Sequence, residues 1–246
     1  PDRVDFLREL APDLARRDFT VNAMAADAAG TVTDLFGGQD DLRRGVIRCV
    51  GDPAERFAED ALRMLRALRF AARLSFRIDG ETAAAIHAAR TRLRAVAPER
   101  LHKELSGILC GRQAAALLEE FSDVLFELIP ELAPCQGFRQ YNPHHTRDVW
   151  THTLAVVDGV PPEEPLRLAA LLHDAGKPAT FFFDKNLVGH FYGHPAAGAA
   201  VTEEVLRRLR YDRATTEFVT QLVAVHGRPI PDDLRGMRRM LARLGA

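Results

Sequence analysis

From Glu55 to Phe76 (ERFAEDALRMLRALRFAARLSF) apolar and polar side chains recur with a helical period. At 100° per residue Phe57, Ala58, Ala61, Met64, Leu65, Leu68 and Ala72 gather on one face. Arg56, Glu59, Asp60, Arg63, Arg66, Arg69 and Arg73 gather on the other. The stretch contains no Gly and follows Pro53, so the pattern predicts one helix with Asp52 as its N-cap. One reading of the polar face is a solvated stripe of ion pairs, Glu59–Arg63 and Asp60–Arg63. A second starts from Asp60 and Arg63 standing one turn apart, an acceptor beside a donor fork. A carboxylate accepts from an exocyclic amine, and an arginine donates to a ring nitrogen. Cytosine and adenine offer that pair of groups, whereas uracil and guanine offer the reverse.

The N-terminal stretch reads differently. Pro1–Leu14 is expected to be the end of a strand, at Val4–Leu7, and a polar connection. Arg16–Ala26 alternates imperfectly, Thr31–Phe36 runs into Gly37–Gly38, and Val46–Val50 is short and apolar; all three predict strands. After Gly51-Asp52-Pro53 the pattern is helical to about Gly111. A turn at Ile78–Gly80 precedes a second helix over Glu81–Ala97, and Pro98 opens a third. Another helix is expected over Gln113–Leu132, followed by a linker at Pro134–Pro143. The expected fold is therefore predominantly α with a small β portion at the N-terminus. Its expected units are residues 1–50, 51–133 and 134–246. His87 and His102 stand alone on the middle helices and read as surface or packing residues.

Composition adds limits. Hydrophobic content of 47% and charged content of 27% are ordinary for a globular protein. No apolar run reaches the ~18 residues of a membrane span, and no signal peptide is visible. Cys49, Cys110 and Cys135 are few and not spaced as CxxC, which predicts a reducing, cytoplasmic setting and argues against a zinc–thiolate site. The net charge of −1 hides fifteen Lys and Arg against eight Asp and Glu between Leu42 and Arg112. A local basic excess suits a phosphate-rich partner. Only three lysines occur in the chain, so arginine itself is a general preference and carries little weight.

Seven of the nine histidines fall between His144 and His226, which packing alone does not call for. His145 and His152 are seven apart, on one face if both are helical. An apolar helical run, Leu166–Leu172, delivers His173-Asp174, followed by Gly176-Lys177; then come His190, His194-Pro195 opening a helix, and His226 closing one.

The segments RRDFTVNAMA (Arg16–Ala25), DLFGGQDDL (Asp34–Leu42), EDALRMLRALRFAARLSF (Glu59–Phe76) and RLHKELSGIL (Arg100–Leu109) occur in the order of a known family. They resemble the bacterial CCA-adding tRNA nucleotidyltransferases, whose wider family includes the bacterial poly(A) polymerases. The resemblance implies the rear of an α/β nucleotidyltransferase head, then an all-α neck and an all-α body. It implies nucleotide contacts from Arg17, Asp18, Asn22, Asp60 and Arg63, with Arg66 next to them, and transfer of CMP and AMP from CTP and ATP to the 3′ end of tRNA. The family's Gly-rich turn and metal-binding aspartate pair are not found before Arg16, so the chain is expected to be a fragment without the Mg²⁺ ligands of nucleotidyl transfer. The order His…His-Asp…His…His is similar to the HD superfamily of metal-dependent phosphohydrolases. That likeness implies His152, His173 and Asp174 as metal ligands. His194 and His226 would serve a second metal or the phosphate, with Lys177 neutralising charge, and a further aspartate is expected downstream. Imidazole and carboxylate without thiolate suit an octahedral divalent cation (Mn, Fe, Co, Ni or Mg) better than structural zinc. Alternatives left open are a stand-alone HD phosphohydrolase with an RNA-binding platform, a non-catalytic RNA-binding module, and relatives that add only CC, only A or poly(A).

Overall fold

The computed structural model describes residues 10–142, 146–229 and 231–244. The expected strand at Val4–Leu7 lies outside them. Leu10–Ala15 forms helix α1 where a polar connection was expected, pinned by the fully buried Leu14. Arg16–Ala26 is not one strand. Phe19 bridges Cys49, Thr20–Asn22 makes a 3₁₀ turn, and only β1 (Met24–Ala26) pairs, antiparallel, with β2 (Val32–Asp34). The turn arises because Thr20 is held twice: its N–H donates to the Arg48 carbonyl at 3.0 Å, and its hydroxyl to buried Asp41 at 2.7 Å. Helix α2 (Gly38–Arg44) follows, then β3 (Val46–Ile47).

The single helix expected over Glu55–Phe76 is two, α3 (Pro53–Glu59) and α4 (Leu62–Leu74). Asp52 does cap α3, accepting from the Ala54 N–H at 2.8 Å. Asp60 is extended (φ −148°, ψ 104°) and its side chain accepts from the Leu62 N–H at 3.0 Å, so one residue ends the first helix and starts the second. The break turns the apolar face. Ala58 is exposed and Ala61 half-buried, while Leu62, Ala67 and Ala71 join Met64, Leu65, Leu68 and Ala72 in the core.

Beyond α4, β4 (Arg77–Ile78) pairs in parallel with β3, where a turn was expected. Helix α5 (Gly80–Ala89) ends in a 3₁₀ stretch over Arg90–Ala95, earlier than the helix expected to Ala97. Helix α6 (Pro98–Leu109) starts at the proline, as read from the sequence. The next expected helix is again two, α7 (Ala114–Glu120) and α8 (Ser122–Leu128), followed by a 3₁₀ turn at Pro130–Cys135. Helices α4 and α6 run close together: a Cβ on Gly107 would stand 2.5 Å from Cδ of Arg69, whose Nε donates to Glu104 at 2.5 Å.

His87 and His102 are packing residues, but not solitary ones. His87 stacks on Phe121 with Nδ1 2.9 Å from Asp123, and His102 Nδ1 lies 2.9 Å from the Leu209 carbonyl.

The C-terminal part comprises α9 (Val149–Gly159), α10 (Glu164–Leu172), α11 (Lys177–Thr180), a hairpin of β5 (Phe182–Phe183) and β6 (Gly189–His190), then α12 (His194–Arg208), α13 (Arg213–Val225) and α14 (Leu234–Leu244). The hairpin is a small β addition to a body expected to be all α. Helix α9 begins at Val149, and His145, expected on the same helix face as His152, lies outside the described residues. The middle helices and this body share one core running from Phe19 to Val223. Ser106 and the Tyr211 hydroxyl meet at 2.9 Å, and Arg208 donates to both Glu131 oxygens at 2.6 and 2.8 Å.

Candidate functional sites

Arg17, Asp18, Asn22, Asp60, Arg63 and Arg66 line one open cleft of about 510 Å³, together with Arg16, Leu62 and Arg100. Phe19 organises its floor: its ring is fully buried, edge-on to Phe70 of α4 at 5.9 Å, which sets the neighbouring Asp18 against the same helix. Asp18 is nearly buried, and its Oδ2 accepts from Nε of Arg66 at 2.8 Å and from a second guanidinium nitrogen at 2.6 Å. Its Oδ1 accepts from the Phe19 N–H at 2.9 Å and the Asn22 amide at 3.3 Å. Arg17 donates to the Asn22 carbonyl at 2.9 Å.

Asp60 and Arg63 do not stand as the acceptor–donor pair drawn from an unbroken helix. Asp60 caps α4 with one oxygen and accepts from Arg100 with the other, at 2.7 Å. Arg63 donates to Glu59 at 2.6 Å and to the Arg16 carbonyl at 3.1 Å. The expected Glu59–Arg63 pair is therefore present, and the Asp60–Arg63 pair is replaced by Asp60–Arg100. Arg16 and Arg100 were missed in the sequence. Arg16 stands in the motif itself and was within reach, whereas nothing local to Arg100 points forty residues back to Asp60.

A second cleft, of about 610 Å³, gathers His152, His173, Asp174, Lys177, His194 and His226. Helix ends deliver most of them: His173 ends α10, His194 opens α12 and His226 ends α13, while His152 sits within α9. Gly176 permits the closeness, since a Cβ there would stand 2.5 Å from both the His194 carbonyl and the Gly198 nitrogen. Asp174 is the centre. Its Oδ2 lies 3.1 Å from His173 Nε2, 3.7 Å from His152 Nε2 and 2.8 Å from Lys177 Nζ; its Oδ1 lies 3.6 and 3.7 Å from Nε2 of His194 and His226. His173, His194 and His226 each turn Nδ1 to the carbonyl three residues back, at 2.7 to 2.9 Å. That anchoring aims each Nε2 inward, the arrangement metal-ligating histidines adopt.

Burial alone would raise the Asp174 pKa, but the bonds from His173 and His226 and the charge of Lys177 outweigh it and hold the carboxyl well below its usual range. Burial pushes the His194 pKa down. For His226, bonds to Asp174 and to the Val223 carbonyl overcome burial and push the pKa up. Asp174 Oδ2 is buried, with Lys177 Nζ at 2.8 Å and His173 Nε2 at 3.1 Å as its nearest polar neighbours. A buried, ionised carboxylate ringed by inward imidazoles fits a cation. His152, His173 and Asp174 form one group of suitable donors, and Asp174, His194 and His226 a second, with Asp174 common to both. Lys177 is buried and also donates to Gln140 at 2.8 Å, so it acts as a counter-ion to Asp174.

Three family models match in succession: the poly A polymerase head domain over residues 1–48, the probable RNA and SrmB-binding site of polymerase A over 75–135, and the HD domain over 144–243. The A-adding tRNA nucleotidyltransferase of Deinococcus radiodurans is 36% identical over 255 residues, covering 98% of this chain and 58% of the relative. The chain belongs to the bacterial CCA-adding enzyme and poly(A) polymerase family. The CCA-adding enzyme of Ligilactobacillus salivarius is 42% identical over 159 residues, covering 61% of this chain and 39% of its own length. Among solved structures, the Bacillus stearothermophilus CCA-adding enzyme in complex with CTP matches with 28% identity and a TM-score of 0.52, covering 98% of this chain and 61% of that one. The Thermotoga maritima CCA-adding enzyme complexed with tRNA, at 23% identity and a TM-score of 0.55, shares the fold. The chain thus spans about two-fifths to three-fifths of the length of these relatives. Among the described residues no helix is long and apolar enough to cross a membrane.

Proposed function

We propose that this chain supplies the nucleotide-selecting and tRNA-binding part of a nucleotidyltransferase that adds CMP and AMP, from CTP and ATP, to the tRNA 3′ end in the cytoplasm. Residues 1–50 form the rear of the head, 51–133 the neck and 134–246 the HD body. One observation carries the reading: six residues from two separated motifs, Arg17, Asp18 and Asn22 with Asp60, Arg63 and Arg66, line a single arginine-rich cleft. Arg16, Arg17, Arg63, Arg66 and Arg100 give it the charge a triphosphate needs, and Asp60 supplies an acceptor for an exocyclic amine. We further infer that the chain by itself incorporates no nucleotide, because no Gly-rich turn or Asp-x-Asp pair precedes Arg16 and the transfer reaction needs metals held by carboxylates. Binding of CTP and ATP in preference to UTP and GTP, measured by equilibrium dialysis on the chain, tests the cleft. Equal affinity for all four overturns it. Labelled CMP incorporated by the chain alone into tRNA lacking CCA overturns the second point.

The second cleft supports a separate activity of the HD body. His152, His173, Asp174, His194 and His226 would hold one or two divalent cations, which when bound place positive charge against a phosphate and acidify water. The residues themselves keep Asp174 ionised, orient the imidazoles and balance charge through Lys177. The substrate class is a phosphoester, and Mn²⁺-dependent hydrolysis of 2′,3′-cyclic nucleotides tests it.

A further inference from the structure

Exposed large apolar side chains are not spread evenly over the described surface. Tyr141, Phe182, Phe183, Leu187 and Tyr192 fall on or beside the β5–β6 hairpin. Phe182 and His190 are cross-strand partners, with rings stacked at 5.5 Å and 29°. His190 stacks in turn on Tyr192 at 5.2 Å and 24°, and Tyr192 stands 5.5 Å from Phe182. Tyr192 is 74% exposed, so a ring face remains open to solvent. A contiguous exposed apolar group of this kind marks a binding surface rather than packing. Its position decides the occupant, because His190 and Tyr192 also line the cleft that holds Asp174, His194, Lys177 and Arg228.

We propose that Tyr192, backed by His190 and Phe182, is a stacking platform for the nucleobase of a nucleotide whose phosphate enters the adjacent histidine–aspartate cleft. This rests on the reading of that cleft as a phosphoester site, and it narrows the substrate to nucleotides over sugar or alkyl phosphates. The chemistry on each side of Tyr192 matches the two ends of a nucleotide. On one side is a flat, exposed π-face, which any base can cover. On the other, within the same cleft, are Arg228 and the inward imidazoles, with Lys177 balancing Asp174. Stacking on aromatic rings tolerates every base, so the platform gives affinity for nucleotides with little preference among them. A protein partner would need apolar area alone and gives no reason for the rings to border a cationic cleft.

The test uses the full chain with Mn²⁺ and 2-aminopurine riboside 3′-monophosphate, whose fluorescence is quenched when its base stacks. Saturable quenching is expected, competed by AMP and CMP alike and only weakly by ribose 5-phosphate. Tyr192→Leu keeps an apolar side chain without a π-face and should weaken binding about 5- to 150-fold, while Tyr192→Phe should retain it. Quenching that survives Tyr192→Leu unchanged overturns the platform, as does competition by ribose 5-phosphate equal to that by AMP. If the hairpin instead pairs two copies of the chain, Tyr192→Leu shifts sedimentation and leaves nucleotide affinity alone, which also overturns it. The metal reading fails separately, by absent Mn²⁺ binding in the unsubstituted chain, and the quench dependent on Tyr192 stays measurable in that case.

Discussion

Asp18 and Arg66, forty-eight residues apart, are joined through one oxygen: Nε and a second nitrogen of the guanidinium both donate to Asp18 Oδ2, at 2.8 and 2.6 Å. The contact ties the N-terminal motif to helix α4 and fixes the floor of the arginine cleft. The other face of Arg66 lies toward the Phe70 ring, 5.5 Å from its centroid.

Removing Arg66 leaves a carboxylate that is 8% exposed with only the Phe19 N–H and Asn22 as donors. Arg66→Ala should therefore destabilise the chain by about 1–3 kcal/mol, the cost of leaving a largely buried acceptor under-satisfied. Asp18→Asn should cost less, because it removes the buried charge along with the pair. Urea unfolding followed by circular dichroism checks both, and equal effects from the two would show that the pair is not what stabilises this corner.

How much of this cleft was legible depended on distance along the chain. The Asp52 cap, the start of α6 at Pro98 and the apolar helix that delivers His173-Asp174 are local chemistry and could be read directly. The break at Asp60 could not, since Glu59-Asp60-Ala61-Leu62 contains neither Gly nor Pro. It forms because Asp60 gains more by accepting from the Leu62 N–H and from Arg100 of α6 than by continuing the helix. Tertiary contacts likewise turn Thr20 away from a strand, through the Arg48 carbonyl and Asp41. In the second cleft the residue types and their order were enough to single out side chains that the fold brings together. Their convergence on Asp174 was not readable, since it depends on the close approach of α12 to Gly176.

If the arginine cleft selects nucleotides as proposed, base selection should depend on Asp60 and Arg63. Both side chains are engaged, Asp60 by Arg100 and Arg63 by Glu59 and the Arg16 carbonyl, so a base that used them would have to exchange these partners. Asp60→Ala or Arg63→Ala should relax discrimination against UTP and GTP by about 5- to 150-fold, the worth of one bidentate base contact. Equilibrium dialysis with each triphosphate in turn checks this. Unchanged selectivity in both variants would reduce the polar face to a stripe of ion pairs.

The contact between Arg208 and Glu131 makes a pH-dependent contribution to stability. Burial would raise the Glu131 pKa, but the two hydrogen bonds from Arg208 outweigh it and the net shift is downward. A depressed folded-state pKa means stability that is present above the unfolded value of 4.5 and lost as pH falls through the lower folded value. Glu131→Gln should therefore flatten part of the acid limb below about pH 5, by a few tenths to about 1 kcal/mol for a partly exposed pair. Thermal melts at pH 7 and pH 4 make the comparison. An unaltered acid limb in the variant rules the contact out as a contributor.

Metal binding by the HD body carries the most specific expectation, because Asp174 is common to both donor groups while the imidazoles are not. Asp174→Ala should abolish saturable Mn²⁺ or Co²⁺ binding altogether. His173→Ala should remove the group made with His152, and His226→Ala the group made with His194. His87→Ala should change nothing, its partner Asp123 lying on α8. Protonated imidazole cannot ligate, so protons compete with the metal. The His226 pKa is raised above the ordinary 6.5 and that of His194 lowered below it, so on acidification His226 takes up its proton first. Asp174 remains ionised throughout that range. The His194–His226 group should therefore release metal at a higher pH than an unperturbed histidine site would. Isothermal titration between pH 8 and pH 5.5, on the unsubstituted chain and on His226→Ala, reads this directly. In the variant that early loss should disappear, since the donor that protonates first is gone. Binding independent of pH, or retained in full by Asp174→Ala, would remove the metal from this cleft.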